Sequence, residues 1–114
     1  MNNDYAILLF SAYVDGDDSY VNRMRHKQML DALRNNEIEF QVWEGKFDGV
    51  RERTVMCLQT PKSMELVHKL CVFNRQICYM RVYCVSHLAY MIYTADKTDA
   101  HYMGKFVQVP FEVA

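Results

Sequence analysis

The stretch Gly45-Lys46-Phe47-Asp48-Gly49-Val50-Arg51-Glu52-Arg53-Thr54-Val55 limits what this chain can fold into more than any other. It sets an Asp-Gly dipeptide between two runs of strand-like composition, and Gly tolerates the positive φ that tight hairpin turns demand. The run from 37 to 47 alternates, with Ile38, Phe40 and Val42 on one face and Trp43 on the other, and reads as a strand. Residues 51–59 read as its antiparallel partner. Glu52 falls just past the turn, at the mouth of the hairpin, where a functional carboxylate is geometrically plausible.

Elements on either side of the hairpin follow from the same kind of reading. Residues 5–14 are β-rich and apolar almost throughout, as expected of a central strand covered on both faces. A polar loop, 15–19, leads into a helix from Tyr20 or Val21 to about Asn35, with Ser19 placed to cap it and Met29, Leu30 and Leu33 as its apolar stripe. Its first half holds Asn22, Arg23, Arg25, His26 and Lys27, which sets cations where the helix dipole disfavours them. Those groups are either a solvated face or are turned to a ligand or a neighbouring subunit. Thr60-Pro61-Lys62-Ser63 starts a second helix, in which residues 64–73 put Leu66, Val67, Leu70 and Cys71 at helical spacing. Two more strands are expected at 78–85 and 87–94. A polar segment, 95–100, then precedes a last extended run at 105–109, ended by Pro110.

The resulting order, β-α-β-β-α-β with extra C-terminal strands, predicts an α+β, ferredoxin-like antiparallel sheet with two helices on one face. With 114 residues the chain has enough material for one core, and it reads as a single domain over 1–114. Such a sheet keeps one face open. Tyr79, Met80, Tyr83, Tyr90, Met91 and Tyr93 supply more apolar surface than one layer of helices covers. They predict burial of the second face in a homo-oligomer, or else a thicker monomer core.

Charge and cysteine content narrow the function classes. Thirteen basic against fourteen acidic residues give no reason to expect a nucleic-acid or anionic-membrane partner. Residues 1–4 lack the positive start of a signal peptide, and the longest apolar run, near 6–10, is too short to span a bilayer, so the chain reads as cytoplasmic. Cys57, Cys71, Cys78 and Cys84 contain no Cys-x-x-Cys pair, and His26, His68, His87 and His101 are scattered. Metal-ligand spacing is therefore absent, no cofactor is expected, and the cysteines read as small core hydrophobes.

Motifs in collinear order carry a resemblance. They are Ser11-Ala12-Tyr13 after the first strand, Val21-Asn22-Arg23-Met24-Arg25-His26-Lys27 continuing to Leu33-Arg34, Gly45-Lys46-Phe47, Glu52-Arg53-Thr54-Val55, and Gly104-Lys105-Phe106-Val107-Gln108-Val109-Pro110. From about Leu8 to Pro110 the chain resembles the bacteriophage S-adenosylmethionine lyases, long called SAM hydrolases. The resemblance implies a homotrimer of ferredoxin-like or PII-like fold, with S-adenosylmethionine as substrate bound between subunits, in the host cytoplasm. It also implies cleavage to 5′-methylthioadenosine and homoserine lactone, in which the methionine carboxylate attacks its own γ-carbon and the thioether leaves. Intramolecular alignment of this kind can supply roughly 7–11 kcal/mol without a protein nucleophile, in keeping with the lack of a Ser-His-Asp or Cys-His pattern.

Carried over by position, Glu52 matches the family's essential carboxylate, which either orients the amino-acid end of the ligand or takes a proton from its ammonium. Phe47 stands where the family has an active-site tyrosine, and the segment between Phe47 and Glu52 is shorter than in the lyases compared. A phenyl ring still offers a cation–π surface worth about 0.5–2 kcal/mol to a sulfonium, without the hydroxyl. Ser11 and Ala12 can offer backbone groups to the ligand, while Arg25 and His26 are further ligand-side candidates. Against these stand plainer readings: strand termination at Ser11 and Ala12, packing of His26 beside Leu30, and pairing of Glu52 with Arg51 or Arg53. Three functions are compatible with the sequence. They are a lyase acting in phage counter-defence, a trimeric binder that sequesters S-adenosylmethionine or another adenine nucleotide, and a protein inhibitor with no small-molecule ligand.

Overall fold

Alternating burial organises the described strands into one antiparallel sheet. In chain order the elements are β1 (Ala6–Phe10), α1 (Ser19–Asn35), β2 (Gln41–Phe47), β3 (Val50–Leu58), α2 (Pro61–Phe73), β4 (Cys78–Tyr83), β5 (Leu88–Tyr93) and β6 (Asp96–Lys105). This computed structural model describes residues 4–14, 16–47 and 50–105, without the side chains of 45–47, 50–52, 96–100 and 105. Strand order across the sheet is β2-β3-β1-β4-β5-β6. The first four positions are the ferredoxin-like arrangement, and β5 and β6 extend it beyond β4.

Register decides which residues form the core. Leu8 pairs with Cys57 and Phe10 with Val55, while Tyr79 pairs with Ile92. These side chains join Met29 and Leu33 of α1 and Val67 and Cys71 of α2 in one buried cluster, so both helices cover the same face. Each fully buried Leu or Val is worth about 1.5–3 kcal/mol. The expectation that β1 is covered on both faces needs correction: Leu8 and Phe10 are buried, but Ile7 and Leu9 on the alternate face are only half-buried. Period-2 geometry gives the strand two faces, and the helices occupy one.

Capping explains where the helices begin and end. Asp18, not Ser19, caps α1, its carboxylate accepting from the Tyr20 N–H at 2.7 Å. A carboxylate also sets negative charge at the positive end of a helix whose first turn has no acid of its own. In α2 the Thr60 hydroxyl accepts from the Ser63 N–H at 3.0 Å, and Ser63 Oγ accepts from the Thr60 N–H at 2.8 Å. The Ser63 hydroxyl donates to the Leu58 carbonyl at 2.7 Å and so ties β3 to α2. Both helices end alike. Ile38 N–H donates to Leu33 C=O at 3.0 Å, and Gln76 N–H to Cys71 C=O at 2.8 Å. Glu37 (φ 57°) and Arg75 (φ 58°) take the left-handed position more usual for Gly. Glu37 therefore belongs to this helix stop, and the second strand starts at Gln41 rather than at 37.

The segment 95–100, read from its polarity as a connector, instead lies largely in β6, with Ile92 opposite Ala100 and Tyr93 opposite Asp96. Among the described residues β6 has a neighbour on one side alone, and an edge strand tolerates polar residues on its water-facing surface. Of the expected last strand at 105–109, Lys105 closes β6 and 106–109 lie outside the described residues.

Candidate functional site

The second face of the sheet is apolar, and among the described residues no helix covers it. Its rungs run Ile7–Leu58 and Leu9–Met56 between β1 and β3, Ile7–Val82 and Leu9–Met80 between β1 and β4, and Met80–Met91 between β4 and β5. On this face Ile7, Leu9, Trp43, Val82, Tyr83, Cys84 and His87 line a half-open cleft of ≈ 210 Å³. The indole Nε1–H of Trp43 donates to Gln41 Oε1 at 3.2 Å. Trp43 was legible as the residue facing away from Ile38 and Phe40. The rest of the cleft comes from β1, β4 and the turn after β4, which only the fold brings beside β2.

The Asp48-Gly49 dipeptide lies outside the described residues, but its flanking strands pair as expected from Gln41–Met56 through Phe47–Val50. Gly45 pairs with Glu52 two rungs from the Phe47–Val50 pair, so the positions of Phe47 and Glu52 share the open face with Trp43 and Met56. The side chains of Phe47 and Glu52 are outside the described residues.

The other candidates gather on the helix side, just past the end of β1. Ser11 and Ala12 are buried, and Ser11 Oγ accepts from the Tyr13 N–H at 3.0 Å, a local turn bond. His26 is 3% exposed, and its ring meets that of Tyr13 edge-on at 6.0 Å. Its Nδ1 is buried and meets no hydrogen-bond partner among the described residues. Burial first, and then the Arg53 guanidinium, push the His26 pKa below its ordinary value. Asn22 is buried one turn earlier, its amide carbonyl accepting from Val14 N–H at 2.9 Å and its NH2 donating to Val14 C=O at 3.1 Å. Arg25 is ion-paired with Asp17, and Arg75 reaches the same carboxylate oxygen at 2.8 Å. The cation-rich first half of the helix thus divides: Arg23 and Lys27 are exposed, Arg25 is held by Asp17, and Asn22 and His26 turn inward.

The structure therefore brings Tyr13 and His26 together just past β1, with Arg53 near enough to act on the imidazole. It places the Phe47 and Glu52 positions on the same hairpin as Arg53 but on the opposite face, since neighbouring strand residues alternate. Among the described residues no group of three or more His, Cys, Asp or Glu is arranged to hold a metal ion, and no helix is long and apolar enough to cross a membrane.

Two helices on one face of a six-stranded antiparallel sheet whose first four positions follow the ferredoxin-like order define the chain as an α+β protein of ferredoxin-like type. More particularly, the chain belongs to the S-adenosylmethionine lyase family, which it matches over residues 8–114. Comparison with curated proteins gives no match.

Proposed function

We propose that the chain is an S-adenosylmethionine lyase that releases 5′-methylthioadenosine and homoserine lactone, assembles as a homotrimer with sites between subunits, and serves phage counter-defence in the host cytoplasm. Family membership supplies the substrate class. The observation that carries the reading is the β2–β3 register, which sets the positions of Phe47 and Glu52 close together on the open face. In the reaction a carboxylate oxygen of the substrate bonds to its γ-carbon, the carbon–sulfur bond breaks, and its electron pair neutralises the sulfonium. Protein groups need only hold the folded substrate, so an acid and an aromatic surface suffice. Glu52 provides the acid, which orients the α-ammonium or accepts its proton. Phe47 provides aromatic surface for the sulfonium.

Purified protein incubated with S-adenosylmethionine is expected to yield both products by chromatography, and Glu52→Gln to lower the rate by about 10²–10⁴-fold. Phe47→Tyr is expected to raise it. Intact ligand recovered after denaturing a wild type that forms no product would sink the lyase reading. That outcome supports the second reading, a non-catalytic binder of S-adenosylmethionine or another adenine nucleotide, which the Phe47 ring without a hydroxyl favours.

A further inference from the structure

We propose that the β4–β5 turn is a carboxylate cradle at the lip of the open-face cleft, filled in this structure by the chain's own Asp4, and that a small planar monocarboxylate takes Asp4's place. Three donors converge on that one side chain. Val85 N–H donates to Asp4 Oδ1 at 2.7 Å, while Ser86 N–H at 3.2 Å and the Ser86 hydroxyl at 2.6 Å donate to Oδ2. Hydrogen bonds to an ionised acceptor are about twice as strong as neutral ones, and two successive backbone N–H groups form a concavity suited to an anion. Ser86 Oγ also lies 3.5 Å from the Leu88 N–H, which directs the hydroxyl proton towards the carboxylate. The turn does not need Asp4 to close, because His87 N–H donates to Tyr83 C=O at 2.9 Å and Cys84 N–H to Tyr5 C=O at 2.7 Å. His87 holds φ at 62°, a conformation costly for a residue with a Cβ and more frequent at binding sites.

What makes this more than a tether for the start of the chain is its neighbour. Cys84 and His87, which flank Val85 and Ser86, are also walls of the cleft, whose remaining lining is Ile7, Leu9, Trp43, Val82 and Tyr83. Donors for a carboxylate and an apolar slot with an indole wall therefore adjoin. At ≈ 210 Å³ the cleft is smaller than the roughly 300–1,000 Å³ of drug-sized sites. That size suits a small aromatic acid better than a nucleoside. The cradle also stands apart from the proposed lyase residues: Ala6 pairs with Tyr83 where β1 begins, whereas Phe10 pairs with Val55 where β1 ends and β3 continues outward to Val50.

The test is calorimetric titration of the full chain at pH 7 with benzoate, and with neutral benzamide as control. An attached carboxylate competes at high effective concentration, so Asp4→Asn is expected to bind benzoate at least about tenfold more tightly than wild type. Adding Ser86→Ala to Asp4→Asn removes the gain, benzamide binds neither form, and Glu52→Gln leaves the benzoate titration unchanged whatever it does to S-adenosylmethionine. In wild-type protein, benzoate shifts the Val85 and Ser86 amide resonances, a readout that needs no variant. Equal benzoate affinity in wild type and Asp4→Asn, or amide resonances that stay put at saturating benzoate, overturns the proposal.

Discussion

Among the described residues, His26 has a buried side-chain nitrogen that meets no hydrogen-bond partner. A buried imidazole with one unpartnered nitrogen loses water without full replacement, a penalty of about 1–3 kcal/mol. Its lowered pKa means that the folded state prefers the neutral ring. The stability tied to that preference is complete above the ordinary value of 6.5 and is lost as pH falls from there towards the depressed folded value. His26→Leu is accordingly expected to raise stability at pH 7 by about 1 kcal/mol and to flatten the decline of melting temperature between pH 7 and pH 5, read as the difference from wild type. Glu37 makes a smaller prediction of the same kind. A non-Gly residue in the left-handed region costs about 1–2 kcal/mol, against the 0.5–1 kcal/mol that Gly loses in chain entropy. Thermal unfolding of Glu37→Gly is expected at a temperature a few degrees higher.

Among the elements, the joint between β3 and α2 is the most tightly specified. Removing the Ser63 hydroxyl breaks half of the capping box and leaves the Leu58 carbonyl without its 2.7 Å donor. Ser63→Ala is expected to cost about 1–2 kcal/mol in denaturant unfolding, and Ser63→Thr to recover part of it. This joint was legible in the sequence because Thr60-Pro61-Lys62-Ser63 states its own geometry: a capping hydroxyl, a proline at the first turn, and a second hydroxyl three residues on. The β2–β3 register was legible for a similar reason, since Asp-Gly fixes loop length and alternation fixes the faces. The start of α1 was not, because Asp17, Asp18 and Ser19 are all competent caps and only the backbone path selects Asp18. Nor was β6, whose polar start at Asp96 gains its strand geometry from pairing with β5, a non-local contact that no local preference encodes. At the candidate site, the collinear motifs picked out Ser11, Ala12 and His26, and the plainer reading of His26 as a packed residue agrees with its burial, but the burial of Ser11 and Ala12 was not legible.

At the scale of the molecule, the face bearing Ile7, Leu9, Met56, Leu58, Met80 and Met91 has both described helices on its far side. If this surface joins subunits, as proposed, sedimentation of the wild type will give an oligomer. Leu58→Glu, at a position 50% exposed and outside the core cluster, is then expected to give monomers whose helical content is unchanged. A wild type that sediments as a monomer at micromolar concentration would contradict the intersubunit site. The distribution of thiols over the same molecule has a practical consequence. Burial lifts Cys57 to about 11 and Cys71 to about 12 and also raises Cys78, whereas Cys84 is exposed on the turn that borders the cleft. Maleimide reagents at neutral pH will therefore mark Cys84 first. A native chain carrying one fluorophore there becomes a reporter, brightening or dimming as the neighbouring slot fills and empties, with no engineered cysteine required.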